Sequence, residues 1–368
     1  MKRVSGVLLA VSAFWGSNLA VSNSILHHQH KTLKYHFNAH EEKVSFHARE
    51  GIYSDKKIMR KGILLRRPGA KATVLICHGF MCDKFDISFL HLMFKEYNSM
   101  TFDFRAHGED TDGQYCTLGR DEAHDVVGAA EFIKNHPDLK DKPLIVYGFS
   151  MGAVASILAQ AQERKLFDAM ILDCPFESTD KLLERGLDQL KINLFGYEMS
   201  LPGSSFLKNY AYSPFVQSLL KAILRTFTKM DSTQINTCIS PVYAEEAVKF
   251  IEASVPCYVI GCVNDDKAPE EAVLSIYNGL TGFKRIWLTD GRRHYDTIFY
   301  RMHEYFYRVK QFIKKYLDGS LPRRKQQKIK REHIVSKISP AKVTQETLPQ
   351  SLSDVVAVES LQKLQNTL

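Results

Sequence analysis

The most constraining feature of the chain is one run, Leu144-Ile145-Val146-Tyr147 leading directly into Gly148-Phe149-Ser150-Met151-Gly152-Ala153. An apolar, strand-forming segment meets small residues that open a helical pattern, so the backbone must turn from strand to helix at Ser150. A turn this sharp strains the serine, and Gly148 and Gly152 remove side chains that would collide around it. The functional reading is a nucleophilic serine. The bland alternative for the same five residues is an ordinary glycine-rich turn, and the strand before them and helix after them favour the nucleophile.

The rest of the sequence supplies a scaffold for such a turn. Short apolar runs at 44–49, 60–66, 73–78, 99–104, 144–147, 169–173, 257–261 and 285–289 read as strands. Helical patterns at 121–135, 151–164, 244–253 and 298–317 lie among the later ones. The alternation predicts an α/β fold, a mostly parallel sheet with helices on both faces. The first two strands precede any helical pattern and are expected to form an antiparallel hairpin at the sheet edge. Apolar residues at 298, 302, 305, 309, 312 and 316 make one stripe, as expected of a closing helix. Between residues 178 and 236 the alternation stops, and an inserted helical cap is expected there, with an amphipathic helix over 215–228.

At 368 residues, with 45% hydrophobic and 24% charged, the chain can bury a large core, which excludes disorder, a collagen-like fibre and a disulfide-held miniature. Length alone would allow two or three domains, but the pattern assigns one domain to residues 40–318. Residues 1–22 read as a signal peptide: Lys2 and Arg3, a short apolar stretch, then Ala20-Val21-Ser22. An exported protein, periplasmic or secreted, is expected, with membrane association through an uncleaved anchor as the alternative.

Residues 319–368 read as a basic, largely disordered tail holding Arg323, Arg324, Lys325, Lys328, Lys330 and Arg331. Much of the net charge of +8 sits there. Weak attachment of the tail to an anionic membrane or envelope is the sharper reading of that charge, and no nucleic-acid partner is expected. The seven cysteines, at 77, 82, 116, 174, 238, 257 and 262, show no metal-ligand spacing, and an odd number leaves at least one thiol free. Cys174 and Cys262 end neighbouring predicted strands and are the pair that a disulfide would join.

A serine hydroxyl attacks only when a base takes its proton and an acid holds that base in the right tautomer. Downstream of Ser150, each just past a strand end, lie Asn264-Asp265-Asp266 and Asp290-Gly291-Arg292-Arg293-His294. His294 is the expected base. Asp265 is the expected acid, with Asp266 left as the alternative, since adjacent residues at a strand end point opposite ways. The backbone N–H groups of Met151 and Phe80 are the expected oxyanion donors, and His78 is expected to be structural.

The ordered set His78-Gly79-Phe80, Asp103-Phe104-Arg105-Ala106-His107-Gly108, Gly148 to Gly152, Asp173-Cys174-Pro175-Phe176, Asp265 and His294 resembles the α/β-hydrolase superfamily, in particular its serine aminopeptidase-like and prolyl-oligopeptidase-like branches. The resemblance spans about residues 40–318. It implies an eight-stranded α/β-hydrolase fold, a Ser-Asp-His triad of Ser150, Asp265 and His294, and no cofactor or metal. Asn264 departs from it, standing where many relatives carry the acid. The expected activity is hydrolysis of a carboxylic ester or related acyl bond of a small-molecule substrate through an acyl-enzyme; a short-peptide serine peptidase and a non-catalytic binding module are the alternatives. Phe195, Tyr197, Phe206, Tyr210, Tyr212 and Phe215 in the insertion are the candidate lining of an acyl pocket.

Overall fold

The computed structural model describes residues 39–322, apart from 52–53, 110, 112, 189–190, 195–196, 201–209, 211, 214 and 219–234. The expected signal segment, residues 323–368 of the expected tail and much of the insertion lie outside the described residues. Eight strands form one sheet: β1 (His40–Gly51), β2 (Ser54–Arg66), β3 (Thr73–Cys77), β4 (Asn98–Phe102), β5 (Leu144–Phe149), β6 (Ala169–Asp173), then β9 (Cys257–Cys262) and β10 (Lys284–Thr289). Their spatial order is β1-β2-β4-β3-β5-β6-β9-β10. β1 and β2 pair antiparallel at one edge, β2 meets β4 antiparallel, and every later pairing is parallel.

Alternating side chains divide the interior into two layers, as the period of two in a strand requires. Leu75, Val146, Leu172 and Val259 face α1 (Glu122–Asn135), α2 (Met151–Gln162) and a later helix, Glu270–Gly279. Val74, Ile76, Ile145, Tyr147, Ile171 and Ile260 face the other way, onto the closing helix Met302–Leu317. Burial on both faces explains why these strands are continuous apolar runs.

Three expected elements differ from the structure. The helix expected over 244–253 is a single α-turn, Ala244–Ala247, continued by a 3₁₀ turn, Val248–Phe250. The closing helix is broken at Arg301 (φ −127°, ψ 45°), giving Thr297–Tyr300 and Met302–Leu317. The break turns Met302 outward to 42% exposure while Ile298, Tyr305, Val309, Phe312 and Tyr316 stay buried. Nor is the insertion helical throughout. It begins with α3 (Thr179–Asp188) and continues into an antiparallel hairpin of β7 (Lys191–Leu194) and β8 (Tyr197–Ser200). Apolar and polar residues alternate in these two four-residue runs, a strand period too short to stand out from irregular sequence.

Of the predicted helix over 215–228, residues 215–218 are helical, and the remainder lies outside the described residues, as does Phe206. Among the candidate pocket residues, Phe215 is 71% exposed, and the Tyr212 hydroxyl is committed to Thr179 Oγ1 (3.0 Å) and Asp180. At the other end, Leu321 packs into the core.

Candidate active site

β5 and α2 meet at Ser150, whose φ of 52° and ψ of −123° place it in a backbone region that side chains rarely occupy. The strain is held from both sides. Ser150 N–H donates to the carbonyl of Asp173 at the end of β6 (2.9 Å), and the Ser150 carbonyl accepts from Ala153 and Val154 (3.0 and 3.1 Å). The flanking glycines are demanded by contact: a Cβ on Gly148 would stand 2.6 Å from the Gly152 carbonyl oxygen, and one on Gly152 would stand 2.2 Å from that of Cys77. The helix is thereby pressed against β3, and its first amides, Met151 N–H among them, have no partner one turn earlier.

The loop after β9 carries Asp265, 3% exposed, whose Oδ1 accepts the amides of Lys267 (2.8 Å) and Ala268 (2.9 Å). That turn aims Oδ2 at His294 Nδ1, 2.7 Å away. Asn264 Nδ2 donates to the Gly291 carbonyl at 2.8 Å, tying this loop to the one that carries His294. His294 Nε2 lies 2.8 Å from Ser150 Oγ. Burial raises the Asp265 pKa, but the facing imidazole and the three hydrogen bonds outweigh it and hold the carboxyl below its usual range. Ser150, His294 and Asp265 therefore form one hydrogen-bonded row, and Asp266, half-buried, lies outside it.

A family model described as serine aminopeptidase, S33, matches residues 68–197. The fold is that of an esterase from Pyrococcus furiosus, Pf2001, with a TM-score of 0.55 at 24% identity over 76% of this chain and 92% of that one. The chain has the α/β-hydrolase fold. An acylaminoacyl peptidase from Pyrococcus horikoshii shares the α/β-hydrolase fold at TM-score 0.50 and 15% identity, over 78% of this chain and 43% of that one. The uncharacterized protein YqkD of Bacillus subtilis is 25% identical over 245 residues, 66% of this chain and 70% of that protein.

Within this fold the D-x-R-x-H-G segment after β4 braces the loop that carries Phe80. The Asp103 carboxylate accepts from Lys84 Nζ (2.5 Å) and from the Lys84 amide (2.8 Å). Arg105 is clamped by Asp125 and by the carbonyls of Arg49 and Glu50. His107 Nε2 accepts the Met81 amide at 3.2 Å while its Nδ1–H donates to the Arg105 carbonyl at 2.8 Å. His78 does the same one layer deeper, donating to the Gly79 carbonyl (2.7 Å) and accepting from the Phe104 amide (3.0 Å). Burial lowers the pKa of both rings, that of His107 to about 4, so each is a neutral imidazole with a fixed tautomer.

Around this site Asp173, quoted above in one of the motifs, joins three tyrosines that the sequence reading did not assign to it. Asp173 Oδ2 accepts from the Tyr305 hydroxyl at 2.5 Å, and the Tyr147 hydroxyl lies 2.8 Å from that of Tyr305 and 3.3 Å from that of Tyr295. Tyr295 stacks on Phe149, ring centroids 3.9 Å apart. Burial raises the Asp173 pKa to about 7. All seven cysteines are free thiols, Cys174 and Cys262 included, so the disulfide considered for that pair is absent. Cys174 instead faces the imidazole, its Sγ 4.0 Å from His294 Nε2.

Proposed function

We propose that the protein is a serine hydrolase that cleaves a carboxylic ester or related acyl bond through an acyl-enzyme. The observation that carries this is the row Ser150 Oγ, His294 Nε2 and Nδ1, Asp265 Oδ2, with spacings of 2.8 and 2.7 Å. In this reading His294 takes the Ser150 proton as Oγ attacks the carbonyl carbon, then returns it to the leaving group. Asp265 holds the Nδ1–H tautomer and stabilises the imidazolium. The amides of Met151 and Phe80 receive the negative charge of the tetrahedral intermediate. Water, deprotonated by the same imidazole, releases the acid and restores Ser150.

A fluorophosphonate probe tests the nucleophile. Labelling at Ser150 that is lost in Ser150→Ala is expected, and a folded protein that does not label would leave a non-catalytic binding module as the better reading. A second reading, a peptidase acting on short peptides, is favoured by the serine aminopeptidase model matched over residues 68–197. A panel of p-nitrophenyl esters beside aminoacyl and peptidyl amides separates the two. Ester turnover without amide turnover is the expected result.

A further inference from the structure

Cys174 stands beside the Ser150, His294 and Asp265 row without belonging to it. It directly follows β6, adopts a left-handed φ of 41°, and is 1% exposed. Its Sγ, 4.0 Å from His294 Nε2, approaches the same nitrogen that faces Ser150 Oγ at 2.8 Å. Thiol, hydroxyl and imidazole thus converge on one small volume. On the far edge of the ring, Asp265 backs Nδ1 at 2.7 Å. A carboxylate behind one ring nitrogen is how proteins orient the other toward zinc, and here a soft donor stands beside that second nitrogen. Ligand atoms of Cys174, Asp265 and His294 all lie within 4.8 Å of one another.

We propose that this cluster is an inhibitory site for a thiophilic divalent cation, Zn²⁺ above all, bound by Cys174 Sγ and His294 Nε2. Coordination occupies the nitrogen lone pair that Ser150 needs as its base. Inhibition therefore rests on the hydrolase reading, whereas binding does not.

The geometry is close to what the ion requires. Zn–S of about 2.3 Å and Zn–N of about 2.0 Å put sulfur and nitrogen about 3.5 Å apart in a tetrahedral shell. The observed 4.0 Å asks for a closure of about half an ångström. Ser150 Oγ and water are available for the remaining positions, and Asp265 keeps its place behind Nδ1. On binding, the S–H bond is exchanged for S–Zn, and the proton leaves to solvent. Burial, with the Asp173 and Asp265 carboxylates nearby, raises the thiol pKa well above its ordinary value. A sulfur and an imidazole nitrogen suit a thiophilic ion, whereas Mg²⁺ and Ca²⁺ take oxygen ligands.

The test uses the full chain, an ester substrate, and chloride salts of Zn²⁺, Cd²⁺, Mg²⁺ and Ca²⁺. Zn²⁺ and Cd²⁺ are expected to inhibit, with EDTA restoring activity, and Mg²⁺ and Ca²⁺ to have no effect. Cys174→Ser leaves the Ser150, His294 and Asp265 hydrogen bonds untouched. It is expected to keep the parent rate within about 2-fold while requiring at least ~10-fold more Zn²⁺ for half inhibition. Equal sensitivity of Cys174→Ser and parent to Zn²⁺ overturns the proposal. Should the variant not fold, zinc X-ray absorption on the unsubstituted protein at one equivalent decides: a shell with one sulfur at about 2.3 Å supports the site, and a shell of nitrogen and oxygen alone overturns it. The spectrum needs no turnover. A protein that binds Zn²⁺ through one sulfur yet hydrolyses nothing after EDTA has removed the metal would sink the hydrolase reading and leave the metal site standing.

Discussion

Asp265 and Asp266 are neighbours with the same side chain, and the turn after β9 is what separates them. Asp265 spends one oxygen on two backbone amides and so has the other fixed on His294. The sequence carries the order Ser, Asp, His and the strand ends that bring the three together, but the choice within the pair depends on a turn of four residues. Asp265→Asn is expected to lower kcat/KM on the order of 10³- to 10⁴-fold, because an amide presents the imidazole with the wrong partner, while Asp266→Asn stays within a few-fold of the parent. Steady-state kinetics on both variants checks this, and the opposite ranking would reassign the acid.

Glycines of one sequence can differ in the same way. Gly152→Ala drives a methyl into the Cys77 and His78 carbonyl oxygens, at 2.2 and 2.5 Å, and is expected to cost at least ~2 kcal/mol in urea unfolding. Gly186→Ala, in α3 with nothing within 4 Å of the new Cβ, is expected to add about 0.5–1 kcal/mol. If the two variants melted alike, close packing of α2 on β3 would not be what demands Gly152.

At the scale of elements, the end of β6 does more than complete the sheet. Its last carbonyl fixes the Ser150 amide, and its last side chain, Asp173, enters a cluster with Tyr147 of β5, Tyr295 of the His294 loop and Tyr305 of the closing helix. The central parallel strands, β3 to β6 and β9, were legible as apolar runs, since fully buried parallel strands leave that signature. The cluster was not, because its members lie up to 158 positions apart and each reads alone as a core aromatic or a strand-end acid. Its energetics depend on pH with a definite sign. Asp173 has an ordinary pKa of 3.8 and about 7 in the folded protein, burial being the main cause. Across that window the unfolded chain has lost the proton that the native state keeps, so this group's contribution to stability falls as pH rises. Asp173→Asn removes the ionisation. The stability difference, parent minus variant, is expected to shrink by up to about 1.4 kcal/mol per pH unit between about pH 4 and 7. Urea midpoints for both proteins at several pH values in this range measure it, and parallel profiles would mean that Asp173 does not titrate with a raised pKa.

For the whole molecule, the sequence pattern assigns one sheet with two faces to a length that would allow two or three domains. Eight strands form that sheet, with an interior layer on each face, over residues 40–321. What the pattern hid was the irregular detail, the break at Arg301 and the hairpin in the insertion, where local geometry overrides a short period. Charge is distributed unlike the core. Residues 323–368 hold nine Lys and Arg against four Asp and Glu, five of the eight net positive charges, whereas the last buried side chain described is Leu321. Truncation after Pro322 is therefore expected to leave the urea midpoint and the turnover of a neutral ester close to the parent's while weakening retention on a cation exchanger. Truncation after Tyr300 removes Tyr305, Val309, Phe312, Ile313 and Tyr316 from one face of the sheet. At roughly 1.5–3 kcal/mol for each buried side chain, the loss is on the order of 10 kcal/mol, comparable to the stability of an entire domain. That chain is expected not to fold. Circular dichroism and unfolding curves of the two truncations would contradict this division of the molecule if the shorter chain melted cooperatively or the longer one failed to.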